Sequence, residues 1–339
     1  MSSAVIFPAH PEKVLKGLSS LWTSLAQEEK QQGKPTVLRA CAMTLIVASD
    51  EPDKGFAASQ TISDLMRSHP SRGIVIYISH EAEHDLEARV LAQCWKPFGK
   101  AQQICCEQIE IAARPESWPN VGRTLVGLTV ADLPVIFWCR HSAALRSDAS
   151  ADEKAGLDAV LELSTKVIID TSDYEPASAF ELIHRLGTSD RIVADLEWTR
   201  LTPWRQPIAQ IFDNPARTNT FSQFHALEIT HGGEQPSPGL LYLAGWFSQT
   251  HPMEVRWRAG VEFGRGLHSI RLISDDEEIV SERLGGECVR IRTTSGPART
   301  YNVPEASDHL LLEEELSLLG RDPVFERTFR RAQELLIGI

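Results

Sequence analysis

Two short segments concentrate side chains that can bind an anion or a partner protein. The first is the hexapeptide RSHPSR, whose candidate anion ligands are Arg67, His69, Ser71 and Arg72. Guanidinium forks and hydroxyl groups bind phosphates and carboxylates, and Pro70 fixes the turn that carries them. The segment therefore predicts an anion site. One alternative stays open, in which Arg67 and His69 end a helix and face the negative end of its dipole.

The second segment, DLEWTRLTPWR at 195–205, interleaves aromatic and basic residues. Its candidate interface residues are Trp198, Arg200, Trp204 and Arg205. Tryptophan and arginine are the residue types most enriched at binding hot spots, so the segment predicts an anchor for a partner protein. The alternative, equally open, packs the tryptophans at a domain junction and pairs the arginines with Asp195 or Glu197.

Four further arginines come in pairs, at 256 and 258 and at 290 and 292. Residues two apart in a strand share one face, so neighbouring strands would form a basic stripe. Glu254, Glu262 and Glu287 could neutralise it. The favoured interpretation is a charged face exposed to solvent.

Motifs for nucleotide binding and nucleophilic catalysis are absent. No G-x-G-x-x-G follows a predicted strand, and the sequence contains neither G-x-x-x-x-G-K-[ST] nor G-x-S-x-G. The turn after the first central strand, SDEPDKG at 49–55, is acidic and would repel a pyrophosphate. We therefore expect no NAD or ATP cofactor, no catalytic residues and no enzymatic activity.

Histidine and cysteine spacing predicts no metal site. His80 and His84 are four residues apart, but no third ligand is evident, and a solvated loop is favoured over a zinc site. The six cysteines form no C-x-x-C pair, which argues against zinc and against a secreted disulfide framework. Cys105 and Cys106 are expected to be small core residues.

The start of the chain resembles no signal peptide and no long apolar run occurs, so we expect a cytoplasmic protein without a membrane partner.

Composition and charge restrict the class of protein. A length of 339 residues suggests two domains at about 150 residues each. Acidic residues number 46 against 34 basic ones, and a net charge of −12 disfavours a nucleic-acid partner.

No lysine follows Lys166, whereas 17 arginines do. Arginine's planar fork suits phosphates, carboxylates and aromatic faces, but compositional bias is the favoured explanation of this asymmetry.

The first half of the chain alternates apolar strands with helices. Predicted strands cover 38–48, 73–79, 103–112, 133–139 and 166–170, and predicted helices cover 10–29, about 53–68, 82–93 and 118–128. Continuous apolar strands separated by helices indicate a parallel sheet covered on both faces. We therefore predict an α/β domain over 1–171, built on a doubly wound, mostly parallel sheet.

The second half changes character. Predicted helices cover 176–186, 194–212 and 236–247, and short alternating strands fill the stretch between 253 and 303. Two helices follow, the last of them capped by Asp322. This pattern predicts an α+β domain over 172–339 with an antiparallel meander.

Four segments, taken in order, resemble the glucose-6-phosphate dehydrogenase assembly protein (OpcA) family. They are RSHPSRGIVIYI at 67–78, CCEQIEI at 105–111, VADLPVIFWCR at 130–140 and DLEWTRLTPWRQPIAQIFD at 195–213. The last is the most specific, and together they represent an amino-terminal and a carboxy-terminal family region. Pro207 stands where the family pattern has a helix former, and it predicts a kink or a restart of the helix.

The resemblance implies a non-catalytic partner of glucose-6-phosphate dehydrogenase, which assists its assembly or activates it allosterically at the entry to the oxidative pentose phosphate pathway. The partnership is redox-linked in some photosynthetic bacteria, but the cysteines here predict no dithiol switch. The resemblance transfers no binding site residue by residue. The alternative is a sugar-phosphate-binding enzyme or sensor that uses the turn at 67–72.

Overall fold

The computed structural model describes residues 7–32, 36–50, 52–78, 85–97, 102–215, 217, 220–260, 266–294 and 296–338, with side chains except at 7, 28–32 and 52–56. The chain divides into two compact units. The first contains residues 1–169 and 186–194, and the second contains 170–185 and 195–339. The division differs from the single boundary predicted at 171 because residues 186–194 return to the first unit.

The first unit is an α/β unit. Its strands are β1 (Phe7–Pro8), β2 (Val37–Arg39), β3 (Met43–Ser49), β4 (Ser71–Ile78), β5 (Leu86–Trp95), β6 (Gln103–Ala113), β7 (Val135–Arg140), β8 (Lys166–Ile169) and β9 (Ile192–Asp195). Its helices are α1 (Pro11–Gln32), α2 (Pro52–Leu65), α3 (Trp118–Val126), α4 (Ser142–Leu145) and α5 (Ala151–Leu161).

At the centre of the sheet lies β3, whose seven residues are all buried. Parallel β4 and β6 extend the sheet to one side, and parallel β7 and β8 extend it to the other. The strand order is β1-β5-β6-β4-β3-β7-β8-β9, with β2 added in parallel to β6. These observations confirm the doubly wound, mostly parallel sheet.

The segment predicted as a helix over 82–93 is a strand as far as it is described. Residues 86–95 pair with β6 in antiparallel register, from Leu86 opposite Ala113 to Trp95 opposite Ile104. The helix prediction is wrong because Ala88 and Val90 also belong to an alternation of apolar residues with a period of two, which suits a strand beside β6.

The same pair of strands carries a disulfide. Cys94 lies opposite Cys105, with their Cα atoms 4.1 Å apart. The closely spaced, non-hydrogen-bonded pairs of antiparallel strands have about this separation. Cys105 and Cys106 are both buried core residues, as predicted. Cys105 is bonded to Cys94, a bond that we did not predict, whereas Cys106 is free.

The second unit combines helices with a second sheet. Its helices are α6 (Pro176–Leu186), α7 (Leu196–Thr199), α8 (Thr202–Phe212), α9 (Pro238–Ser248), α10 (Asp308–Ser317) and α11 (Pro323–Ile337). Its strands are β10 (Ala226–Gly232), β11 (Glu254–Ala259), β12 (Gly266–Ile273), β13 (Glu278–Gly285), β14 (Cys288–Thr293) and β15 (Arg299–Asn302).

The strand order of this sheet is β11-β10-β12-β13-β14-β15. The strands β12 to β15 pair antiparallel in succession and confirm the meander. Strand β11, which we predicted as the first strand of the meander, is not part of it. It follows α9 in the chain and pairs in parallel with β10. The sequence analysis did not identify β10.

The segment predicted as helical over 194–212 is three elements. Strand β9 ends at Asp195, α7 follows at once, and α8 begins at Thr202 with Pro203 in its first turn. The break therefore falls at Arg200 and Leu201. Helix α8 continues through Pro207 without the restart that we predicted there.

One face of the second sheet is charged. Glu228 lies opposite both Arg256 and Arg271, which puts the three side chains on the same face. The complete charged face consists of Glu228, Glu254, Arg256, Arg258, Arg271, Glu278, Glu282, Arg290 and Arg292. Each arginine lies 2.6 to 3.9 Å from a glutamate oxygen.

The basic stripe that we considered does not form, because three strands separate β11 from β14. Glu254 pairs with Arg256 as predicted. Glu262 lies outside the described residues, and the described part of the chain contains no ion pair of Glu287. The other arginines of the face use Glu228, Glu278 and Glu282 instead.

Candidate functional site

Strand β9 ends in a carboxylate that joins three segments of the second unit. Asp195 is completely buried and caps α7. Its Oδ1 accepts hydrogen bonds from the backbone N–H groups of Glu197 (3.0 Å) and Thr171 (3.1 Å). Its Oδ2 accepts from the hydroxyls of Thr171 (2.5 Å) and Tyr242 (2.7 Å). Four donors use the ordinary acceptor capacity of a carboxylate.

Arg200 binds two further carboxylates, those of Asp170 and Glu197. Its two terminal nitrogens donate to Oδ1 and Oδ2 of Asp170 at 3.2 and 2.7 Å, and one of them also binds Oε2 of Glu197. The Arg200 and Asp170 side chains are about one-third exposed, at 32% and 33%, whereas that of Glu197 is only 12% exposed. The carboxylate cluster, as we name it, consists of Asp170, Thr171, Asp195, Glu197, Arg200 and Tyr242.

Burial separates the pKa values of the three acids. Desolvation raises the pKa of Asp195 to about 6, against the opposing effect of its hydrogen bonds. Desolvation also raises the pKa of Glu197 to about 7, against the opposing effect of Arg200. Burial also acts to raise the pKa of Asp170, but the hydrogen bonds and charge of Arg200 outweigh it and lower that pKa. Burial, reinforced by the charge of Asp195, raises the pKa of the Tyr242 hydroxyl well above its usual value.

The carboxylate of Glu197 packs against the first turn of α9. A Cβ added at Gly239 would lie 2.1 Å from Glu197 Oε1, so only glycine leaves room for this carboxylate. The positive end of the helix dipole lies at this turn and favours a negative charge. Gly239 and Arg200 together fix the position of Glu197.

Raised carboxyl pKa values are typical of general acids, so the cluster has to be considered for catalysis. Asp195 has no exposed surface, and its oxygens already accept four hydrogen bonds. Such an arrangement suits the fixing of Asp195 to α9 and to Thr171 within the second unit, and it leaves Asp195 without access to a ligand.

Two of the predicted interface residues are interior residues. Trp198 and Trp204 are each 4% exposed. The indole nitrogen of Trp198 donates to Oδ2 of Asp322 at 3.0 Å, and its ring packs on Phe325 with centroids 5.6 Å apart. Trp204 lies under the Arg283 guanidinium at 5.4 Å. Side chains buried in this way cannot anchor a partner, so the prediction is wrong for the two tryptophans.

The two arginines of that prediction are also occupied within the second unit. Arg200 pairs with Glu197, as the structural alternative proposed. Arg205 stacks its guanidinium 3.3 Å from the centre of the Trp198 ring and donates to the Thr202 hydroxyl at 2.8 Å. Burial lowers the pKa of Arg205 to about 10, against the raising effect of nearby acidic residues such as Glu314.

The predicted anion turn is divided by the fold. Arg67 is exposed after the end of α2, whereas Ser71 and Arg72 are buried in β4. Arg72 donates from Nε to Oε2 of Glu107 at 2.7 Å and from Nη1 to the Leu128 carbonyl at 2.7 Å. Arg72 is therefore committed to a buried carboxylate, and the prediction of an anion site is wrong for this residue. For Arg67, His69 and Ser71 it stays a prediction.

The chain order reverses at the sheet between β3 and β7, where doubly wound proteins bind their ligands beyond the carboxyl ends of the strands. Asp50 occupies this place. Its Oδ2 accepts a hydrogen bond from the Ser142 hydroxyl at 2.6 Å and lies 3.6 Å from Nδ1 of the buried His141. Burial acts to raise the pKa of Asp50, but the nearby His141 and the hydrogen bonds from Ser142 and Ala143 hold it well below its usual range. A phosphate at this edge would meet a negative charge.

Two kinds of feature are absent from the described residues. Within the ranges given above, no group of three or more His, Cys, Asp or Glu side chains could hold a metal ion. The same residues include no helix that is long and apolar enough to cross a membrane. His80 and His84 lie outside the described residues.

Sequence analysis named three of the six residues of the carboxylate cluster, Asp195, Glu197 and Arg200, and missed the other three. Asp170 ends a predicted strand and Thr171 follows it, and polar residues are common at such positions. Tyr242 carries a usable signal, because it is the single hydroxyphenyl group in the apolar helix 238–248 and needs a partner when buried.

Family models match both units of the chain. A model described as the glucose-6-phosphate dehydrogenase subunit N-terminal domain matches residues 62–185, and one described as the corresponding C-terminal domain matches residues 191–329.

Two similar curated proteins carry the name "Putative OxPP cycle protein OpcA". The one from Synechocystis sp. is 26% identical over 69% of this chain and 48% of its own length. The one from Nostoc punctiforme is 24% identical over 78% of this chain and 58% of its own length. The chain thus spans about half the length of these relatives.

Similar solved structures include two bacterial oxidoreductases. One is an oxidoreductase from Sinorhizobium meliloti, with a TM-score of 0.45 and 10% identity, covering 87% of this chain and 96% of that one. The other is myo-inositol dehydrogenase from Lactobacillus casei, with a TM-score of 0.44 and 8% identity, covering 86% and 91%. Likeness at this level supports no statement about activity.

Proposed function

Because the chain belongs to the glucose-6-phosphate dehydrogenase subunit (OpcA) family, we propose that it is a non-catalytic protein that binds glucose-6-phosphate dehydrogenase. Its role is to assist assembly of the dehydrogenase or to activate it allosterically, in the oxidative pentose phosphate pathway of the cytoplasm. The observation that carries the proposal is the match of the two family models, one to each half of the chain.

Two features of the described residues support a non-catalytic role. Asp195, whose raised pKa would suit a general acid, is buried and fully hydrogen-bonded. Asp50 puts a carboxylate where a doubly wound enzyme would bind the phosphates of its cofactor. We therefore expect the purified chain to lack dehydrogenase activity with NAD or NADP. Saturable binding of either nucleotide at micromolar concentration in calorimetry would contradict this expectation.

Activation requires that the chain prefer the active state of the dehydrogenase. A typical allosteric coupling of about 1–3 kcal/mol corresponds to a shift of about 5–150-fold in the equilibrium between two states. A surface contact that distinguishes the two states is sufficient, and the chain need not touch the reacting atoms.

The charged face of the second sheet suits this contact. Its arginines and glutamates alternate between strands, and Arg256 and Arg290 are 47% and 43% exposed. Complementary patterns of both charge signs fix the register of an interface and reject wrong partners. The buried Trp198 and Trp204 cannot supply this contact, so we assign it to the charged face.

The experiment combines the chain with glucose-6-phosphate dehydrogenase purified from the same host. We expect co-purification, together with a rise in the rate of NADPH formation or a change in oligomeric state that saturates with the concentration of the chain. Arg256→Glu with Arg290→Glu should abolish these effects at an unchanged melting temperature.

The matched control carries the same change of charge on the first unit. Arg123→Glu with Arg146→Glu, both at exposed positions, should bind and act like the wild type. If the wild-type chain neither co-purifies with the dehydrogenase nor changes its rate or assembly, the proposed function is wrong. If both double variants bind normally, the contact lies away from the charged face.

A further inference from the structure

A cavity of about 460 Å³ lies between the end of α9 and the exposed side of α11. Its α11 wall consists of Arg327, Arg330, Arg331 and Glu334, whose spacing of three and four residues puts them on one side of the helix. Its other wall is the segment 248–252. We name it the arginine cavity.

Close packing of the two helices determines where the cavity opens. A Cβ added at Gly245 would lie 2.6 Å from the Thr328 carbonyl oxygen and 3.1 Å from the Ala332 nitrogen, so α9 and α11 touch there through their backbones. Helix α9 ends at Ser248, one turn later, and the space beyond its end becomes the cavity.

The arginine cavity keeps a positive charge in a chain of net charge −12. Arg331 binds Glu334 at 2.6 Å. Arg327 and Arg330 make no ion pair with any residue in the described ranges. Three guanidinium groups and one carboxylate therefore leave a surplus of two positive charges, which matches a dianion.

Neutralisation of the α9 dipole accounts for only part of this arrangement. Cations are favoured at the carboxyl end of a helix, and two of the arginines form hydrogen bonds there. Arg331 donates from Nε to the Ser248 hydroxyl at 3.2 Å, and Arg327 donates from Nε to the Gln249 side-chain oxygen at 3.3 Å. These bonds hold the guanidinium planes through Nε, which leaves the terminal nitrogens of Arg327 for another acceptor. Arg330 takes no part in them.

We propose that the arginine cavity binds a small phosphorylated sugar through its phosphate group. Planar guanidinium forks pair with the oxygens of a phosphate, and several forks around one cavity suit a dianion. Thr250 and His251 also line the cavity and supply hydrogen-bonding groups for sugar hydroxyls. A volume of about 460 Å³ lies within the range of about 300–1,000 Å³ that small-molecule sites occupy. The site requires no partner protein.

Calorimetry on the full chain tests the proposal, with glucose 6-phosphate, inorganic phosphate and glucose as separate probes. All titrations are made at one low ionic strength, because salt screens exposed charges. We expect saturable binding of glucose 6-phosphate, weaker binding of inorganic phosphate and none of glucose. Arg327→Gln with Arg330→Gln should weaken the binding of glucose 6-phosphate by at least about tenfold.

The control is Arg123→Gln with Arg299→Gln, which removes the same charge from exposed positions outside the cavity. It should bind glucose 6-phosphate as the wild type does. Absence of binding to the wild type overturns the proposal, and equal weakening in the control overturns the location. Equal affinity for inorganic phosphate and glucose 6-phosphate overturns the assignment to a sugar phosphate.

Discussion

The hydroxyl of Tyr242 lies 2.7 Å from Oδ2 of Asp195, and both side chains are completely buried. The contact joins α9 to the residue that ends β9 and starts α7, two segments separated by 47 residues. Because an aspartate with fewer donors would be poorly solvated in this interior, Tyr242 contributes to stability through its oxygen as well as its ring.

Tyr242→Phe removes this donor and keeps the ring that stacks on Phe180 at 5.6 Å. We expect a loss of about 1–3 kcal/mol in the free energy of unfolding, measured by urea denaturation. Tyr301→Phe, at a partly exposed position of β15, is the control and should change it by less than about 0.5 kcal/mol. Equal effects of the two substitutions would mean that the Asp195 contact does not stabilise the fold.

The carboxylate cluster predicts a pH dependence of stability. The folded state raises the pKa of Asp195 from 3.8 to about 6 and that of Glu197 from 4.5 to about 7. The folded chain therefore holds protons that the unfolded chain releases as the pH rises, so the free energy of unfolding decreases from about pH 4 to pH 7. The pKa of Asp170 is lowered, so its contribution is lost when the pH falls below about 4.

Glu197→Gln isolates one part of this dependence, because it removes a titrating group and keeps its shape. Between pH 5 and 7 the free energy of unfolding should fall less in the variant than in the wild type, by up to about 3 kcal/mol. Urea denaturation at a series of pH values measures the two slopes. Identical slopes would show that Glu197 titrates in the folded chain as it does in the unfolded one.

The central sheet was predictable because its signal is local. Strands such as β3 and β7 are buried on both faces, so their sequences are continuous apolar runs that chain neighbours alone identify. Helix α6 and the Asp322 cap of α11 were predicted for the same reason, since a cap lies within three residues of the N–H groups that it binds. The local sequence did not identify strand β5, because its apolar residues fit both a helix and a strand until the pairing with β6 is known.

The candidate site was less predictable because its contacts are distant in the sequence. Trp198 and Arg200 are of the residue types that occur at binding hot spots. The same residue types also stabilise a protein interior when other residues of the chain accept their hydrogen bonds. The indole of Trp198 bonds to Asp322, 124 residues later, and Arg200 bonds to Asp170, 30 residues earlier. No local pattern distinguishes these partners from the residues of another protein.

The disulfide predicts a pattern of thiol reactivity. Four cysteines are free, of which Cys288 is exposed, whereas Cys106 and Cys139 are buried. Burial raises the pKa of the Cys106 thiol to about 11 and that of Cys139 to about 12, so neither forms the reactive thiolate at neutral pH. In protein purified without reductant, we expect iodoacetamide to label Cys288 well before either buried thiol.

Peptide mass spectrometry of the same sample should recover Cys94 and Cys105 as a linked pair. Cys94→Ser should lower the free energy of unfolding by about 2–4 kcal/mol without reductant and by much less with it. An unlinked pair in the oxidised sample would contradict the structure at this point. Because the cytoplasm keeps most thiols reduced, the comparison under both conditions is needed.

Gly239 and Glu197 provide a test in which one substitution has opposite effects in two backgrounds. In the wild type, the methyl group of Gly239→Ala would lie 2.1 Å from Glu197 Oε1 and would displace the carboxylate from Arg200. The free energy of unfolding should therefore decrease. In the background Glu197→Ala the obstacle is gone, and alanine in the first turn of α9 should be neutral or stabilising by up to about 1 kcal/mol, because it is a better helix former than glycine. Urea denaturation of the four proteins of this cycle gives the coupling between the two positions, which should be at least about 0.5 kcal/mol. Additive effects would mean that Glu197 moves aside without cost, and the carboxylate cluster would then be looser than its hydrogen bonds indicate.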